Sequence, residues 1–105
     1  MQLSELQRLI DKIYQKRGWK ELDPYIRVGF LMEEVGELAR AVRALEIGRD
    51  RPDEDRKVEE WEQELVEELG DVLGNVVLLA SKYGLSLEEI VETHISKLKK
   101  RYEKE

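Results

Sequence analysis

The residues best placed to do chemistry are carboxylates. The string Glu33-Glu34-Val35-Gly36-Glu37 is followed further along the chain by Glu68-Leu69-Gly70-Asp71. Each string holds a pair of acids at i, i+3, Glu34 with Glu37 and Glu68 with Asp71, and on a helix that spacing points both side chains the same way. Four convergent carboxylates repel; each raises the others' pKa and opposes ionisation until a cation arrives. With no cysteine and one histidine in the chain, an all-oxygen ligand set selects a hard cation, Mg²⁺ or Mn²⁺, over zinc. Mg²⁺ held this way keeps waters and takes its remaining ligands from substrate phosphates. The competing account is that glutamates at this spacing decorate the wet face of any acidic helix. Position relative to the core decides between them.

That position depends on the elements that carry the acids. Four segments repeat apolar residues at helical spacing, and none sustains strand alternation. The first predicted helix runs from about Ser4 to Lys16 with Leu6, Leu9, Ile10 and Ile13 on one face, Ser4 and Gln7 as a capping box, and Gly18 as its stop. Asp23-Pro24 opens the second, an N-cap followed by proline at the first helical position. It continues through Phe30, Leu31, Val35, Leu38 and Val42 to about Leu45, and Gly48 ends it. Arg49 to Arg56 is charged and holds Pro52, so it reads as an exposed loop. The third helix is expected over roughly Asp55 to Tyr83, with Leu65, Leu69, Val72, Leu73, Val76, Leu79 and Ala80 as its core stripe and Gly84 behind it. Ser86 with Glu89 makes another capping box, ahead of a fourth helix that buries Leu87, Ile90, Val91, Ile95 and Leu98. The expectation is all-α: a four-helix bundle-like protomer, one domain over residues 1–105.

Helical headings then sort the acids. At about 100° per residue, Arg27, Leu38 and Leu45 fall within roughly 40° of Glu34, and Leu31 within about 60°. Glu34 therefore belongs to the core-facing stripe. Glu37 lies at the stripe's margin and Glu33 points further outward. A carboxylate on an apolar face costs several kcal/mol unless it is paired or holds a metal, so solvation is a poor account of Glu34. On the third helix Glu64, Glu68, Asp71 and Asn75 form a polar strip beside the apolar one, with Glu68 nearest its edge and Trp61 on nearly the same heading. Antiparallel packing of these two helices would let the four paired acids converge.

Composition bounds the rest. The chain has 105 residues, enough for one core, and such a chain buries only about two-thirds of its unfolded surface, which favours oligomerisation. Its 24 acidic and 18 basic residues leave a net charge of -6, which disfavours binding to a nucleic-acid polymer, since that needs a basic face. The absence of cysteine excludes disulfides, thiolate zinc sites and cysteine catalysis. The longest uncharged run, Val72 to Ser81, is about half a membrane span, and the N-terminus carries no signal-peptide pattern. A cytoplasmic protein without membrane attachment is the expectation. Gly29 with Gly36, and Gly70 with Gly74, share headings outside the main stripes and would permit close approach of another helix. With the small core, they point to a homo-oligomer.

Taken together, the two acidic strings resemble the MazG-like nucleotide pyrophosphohydrolase family, which carries EExxE on one helix and ExxD on the next. Arg17-Gly18-Trp19, Leu38, and Lys97-Leu98-Lys99-Lys100-Arg101-Tyr102 are similar to it as well, so the resemblance spans nearly the whole chain. It implies an all-α pyrophosphatase that hydrolyses nucleoside triphosphates, (d)NTP and water to (d)NMP and pyrophosphate, in nucleotide-pool house-cleaning. It also implies a homo-dimer or homo-tetramer of paired helical hairpins. By analogy Glu34, Glu37, Glu68 and Asp71 would ligate Mg²⁺. Glu33 matches the motif's first acid, there to bind a further metal, to orient water or to remain a surface residue. His94 stands where relatives often carry Asn, which bears on substrate identity rather than reaction class. Phosphoribosyl-ATP pyrophosphohydrolase shares the acid pairs, but the Lys-Leu-x-x-Arg-Tyr ending favours the MazG-like branch. The alternative from another class is a non-catalytic helical dimerisation or interaction module.

A triphosphate brings about four negative charges and enters an acidic pocket only with cations. On this reading Lys97 and Arg101, one turn apart on the fourth helix, would donate to phosphates; otherwise they are solvated charges that favour a helix C-terminus. Trp61 would stack on the base or pack in the core. His94 would contact substrate or sit hydrogen-bonded in the core beside Ile90 and Leu98. Asn75, one turn after Asp71, would read the base or support the acids. Arg27, two turns before Glu34 on the same heading, would pair with an acid or contact a phosphate.

Overall fold

A computed structural model describes residues 1–48 and 57–103. Four α-helices follow in order: α1 Leu3–Lys16, α2 Pro24–Ile47, α3 Val58–Lys82 and α4 Leu87–Tyr102, with a 3-10 turn at Trp19–Glu21 between the first two. The fold is all-α, with no strand among the described residues. None of these helices is long and apolar enough to cross a membrane. The predicted loop Arg49 to Arg56 lies outside the described residues.

Local chemistry explains most boundaries. Pro24 occupies the first position of α2, where its missing N–H costs nothing. Gly84, at φ 67°, takes the left-handed conformation that stops α3. Ser86 caps α4, its Oγ accepting from the Glu89 backbone N–H at 3.1 Å, as the capping pattern predicts. The N-terminus of α1 differs from expectation: Gln2 is the N-cap, without a side-chain cap bond, and the Ser4–Gln7 capping box does not form. Gln7 is engaged elsewhere. Its Nε2 donates to Ser81 Oγ at 3.0 Å and to the Leu85 carbonyl at 2.9 Å, while its Oε1 accepts from the Leu87 N–H at 3.0 Å. Ser81 in turn donates to Asp11 Oδ2 at 2.7 Å. These bonds satisfy turn and helix-end groups that the α3–α4 connection leaves without intrahelical partners, a larger return than an exposed cap.

The chain forms two compact units, Met1–Pro24 with Val77–Glu105, and Tyr25–Val76; α3 runs through the boundary. In the first, Val77, Ala80 and Leu87 form a buried cluster on which Leu3, Leu6, Ile10 and Ile90 pack. The second buries Ala41, Ala44 and Trp61, and with them three polar residues, Arg27, Glu68 and Asn75.

The buried stripes are narrower than periodicity predicts. Leu69, Leu73 and Val76 of α3 are exposed, as are Phe30, Val35 and Val42 of α2. Leu9 and Ile13 of α1 and Val91, Ile95 and Leu98 of α4 are exposed too. Periodicity marks every apolar arc of a helix, whereas burial requires a neighbour to cover it.

Candidate metal centre

The site lies in the second unit, where α2 and α3 run antiparallel. Arg27 meets Asn75, Glu34 and Glu37 meet Glu68, and Arg40 meets Glu64 at 3.7 Å, so positions rise along α2 as they fall along α3. Glu34 sits on the covered face with Leu31, Leu38 and Leu45, all half-buried, which is the heading its sequence position implied. Opposite it, Glu68 is only 8% exposed. Glu37 stands at the exposed margin. One carboxylate oxygen from each of Glu34, Glu37 and Glu68 lies within 4.8 Å of the others. That spacing is close to the roughly 4.2 Å between opposite oxygens around a Mg²⁺ ion, so the three acids could hold one.

Electrostatics sharpen the assignment. Burial, then the charge of Glu37 and a hydrogen bond shared with it, then the charges of Asp71 and Glu34, push the Glu68 carboxyl up from 4.5 to about 7. Glu34 is raised as well, first by burial and then by the charges of Asp71 and Glu37. Oε2 of Glu34 and Oε2 of Glu68 are buried without a hydrogen-bond partner. A buried carboxylate oxygen with no donor is costly, and a divalent cation among the three acids removes that cost. The donor set is all-oxygen, which suits Mg²⁺ or Mn²⁺. Asp71 is exposed and acts on Glu34 and Glu68 through its charge. Glu33 is exposed on the outer side of α2.

The remaining predicted residues divide between the units. Asn75 is buried in the second, accepting from Arg27 Nη1 at 3.0 Å and donating to the Asp71 carbonyl at 2.9 Å. Trp61 is buried there too. His94, Lys97 and Arg101 lie on α4 in the first unit, all exposed; His94 is thus not a core histidine. Lys97 and Arg101 lie exposed on α4 beside Thr93, Ser96 and Lys100. Two features were not foreseen: the Arg27–Asn75 bond and the Arg40–Glu64 pair. Each unites positions that an antiparallel α2–α3 register brings opposite one another, a pairing that headings on a single helix do not reveal.

The model of the MazG nucleotide pyrophosphohydrolase domain matches residues 27–105. The chain belongs to this family. The match takes in both acid pairs and the basic end of α4. This MazG chain is 59% identical over 104 residues to YvdC, an uncharacterized protein of Bacillus subtilis (strain 168), with 98% of each chain covered. Its fold is similar to the crystal structure of YPJD from Bacillus subtilis, provisionally assigned as a pyrophosphatase, with TM-score 0.70, 30% identity and 93% of each chain covered. MazG membership supports hydrolase activity on nucleotides, and the family suggests use of a divalent metal.

Proposed function

We propose that the chain is a Mg²⁺-dependent nucleoside triphosphate pyrophosphohydrolase of the cytoplasm, converting (d)NTP and water to (d)NMP and pyrophosphate in nucleotide-pool house-cleaning. The observation that carries this reading is the convergence of Glu34, Glu37 and Glu68 with buried, partnerless oxygens on two of them. Glu34, Glu37, Glu68 and Asp71 would hold the ion, Mn²⁺ serving in place of Mg²⁺. When bound, the ion supplies charge neutralisation and activation of water. The carboxylates would hold the ion, and with it the triphosphate, so that water lies in line with the α-phosphorus. A bond from water oxygen to Pα would form as the water gives up a proton to a carboxylate of the cluster, the bond from Pα to the bridging oxygen would break, and pyrophosphate would leave with the electron pair. Glu33, exposed on the outer side of α2, would orient water or take a further ion. Lys97 and Arg101 are the phosphate donors of α4, with His94 a further substrate contact.

The same reading includes self-association as a homo-dimer or homo-tetramer. Val28, Met32, Val35 and Val42 on α2, and Val66, Leu69, Leu73 and Val76 on α3, are exposed at helical spacing. Added Cβ atoms at Gly29, Gly36 and Gly70 would meet nothing within 4 Å, leaving room for a helix from a second copy.

The test is a panel of standard and modified NTPs and dNTPs with Mg²⁺, scored for pyrophosphate and monophosphate, with phosphoribosyl-ATP included. Glu37→Ala should abolish turnover and keep helicity; a fully active Glu37→Ala would sink the metal assignment. A non-catalytic interaction module would instead show no product and no thermal shift in millimolar Mg²⁺ or Mn²⁺.

A further inference from the structure

Beside the acids, the second unit buries a cation. Arg27 is 6% exposed and so is Asn75. The guanidinium lies 5.3 Å from the centroid of the Phe30 ring and donates from Nη1 to Asn75 Oδ1 at 3.0 Å. Burying a guanidinium is expensive, and apolar residues of similar volume commonly serve stability as well or better. Stability alone is therefore a weak account of its placement.

The geometry of Asn75 supplies a reason. Its Nδ2 donates back to the Asp71 carbonyl on its own helix at 2.9 Å, and its Oδ1 faces α2. The amide has a single sensible orientation, because the reverse would set NH₂ against the guanidinium donors and an oxygen against a carbonyl. Asn75 is one turn beyond Asp71 and two turns beyond Glu68, while Arg27 is two turns before Glu34. The pair thus links α2 to α3 on the same headings as the acids. A slip of one residue along either helix would swing its acids by about 100° and break the bond.

We propose that Arg27 and Asn75 are positioning residues for the acid site. The buried chain from guanidinium through amide to the Asp71 carbonyl locks the register in which Asp71 and Glu68 face Glu34 and Glu37. The inference rests on the metal reading of those acids, and it adds that affinity for the ion depends on two residues that do not ligate it.

The experiment compares wild type, Arg27→Met/Asn75→Leu, Asn75→Ala and Glu37→Ala by calorimetric Mn²⁺ titration and by melting in EDTA. The double variant is expected to melt in EDTA at or above wild type, yet to bind Mn²⁺ about 10–100-fold more weakly, the usual loss when support behind metal ligands is removed. Asn75→Ala should lose at least about tenfold while remaining folded, which keeps the test open if the double variant does not fold. Wild-type Mn²⁺ affinity in a folded variant overturns the inference and leaves the metal reading standing. No Mn²⁺ binding by wild type overturns both.

Discussion

Replacing Glu68 with Gln should have opposite effects with and without metal. Its carboxyl rises from 4.5 to about 7 because burial and three neighbouring acids oppose its charge. A group whose folded pKa is raised holds its proton more tightly when folded, so the resulting stability is fully present below pH 4.5 and is lost as pH climbs to about 7. At about 1.4 kcal/mol per pKa unit, that displacement sets a ceiling of about 3 kcal/mol. The cluster opens to solvent at Glu37 and Asp71, and water screens part of the repulsion, so about 1–2 kcal/mol is the working figure. For a domain of this size that is roughly 5–10 °C in melting temperature. In EDTA at pH 8, Glu68→Gln should therefore melt above wild type by that amount, and the gap should close near pH 4.5. In millimolar Mn²⁺ the order should reverse, since only wild type gains binding energy, about 2.7 kcal/mol at a hundredfold excess over Kd. Thermal melts over pH 4.5–8, with and without metal, measure all of this. A variant less stable than wild type in EDTA at pH 8, or a gap that widens on acidification, would refute the reasoning.

Other parts of the molecule give further expectations. Gln7→Ala strips partners from the Leu87 N–H and the Leu85 carbonyl and should cost about 1–3 kcal/mol by denaturant titration; an unchanged midpoint would count against a stabilising role for these bonds. Lys97→Ala and Arg101→Ala should each raise KM about tenfold, matching the loss of one charge-assisted contact, and kinetics within twofold of wild type would return both residues to the solvent. Leu73→Lys, on the exposed apolar arc of α3, should lower the mass seen by light scattering while helicity is kept; an unaltered mass would place self-association elsewhere.

The local signals were legible in the residues themselves. Proline at the head of α2, glycine after α2 and α3, and Ser86 ahead of α4 each act through backbone geometry within a few residues, so no tertiary knowledge is needed to read them. The heading of Glu34 among Leu31, Leu38 and Leu45 was legible for the same reason, because a helix converts spacing into direction. Direction alone does not decide burial. Leu69 and Leu73 share apolar spacing with residues that are covered, yet they are exposed, because coverage depends on a neighbour that one helix cannot specify. The Ser4–Gln7 box failed on the same ground: a local cap was available, but contacts with Ser81, Leu85 and Leu87 satisfied more of the chain. The acid pairs and their spacing were thus determined by sequence. The antiparallel register that joins Glu34 to Glu68 and buries Arg27 against Asn75 was decided only by the tertiary structure, since contacts between distant residues depend on how two helices pack and not on either helix alone.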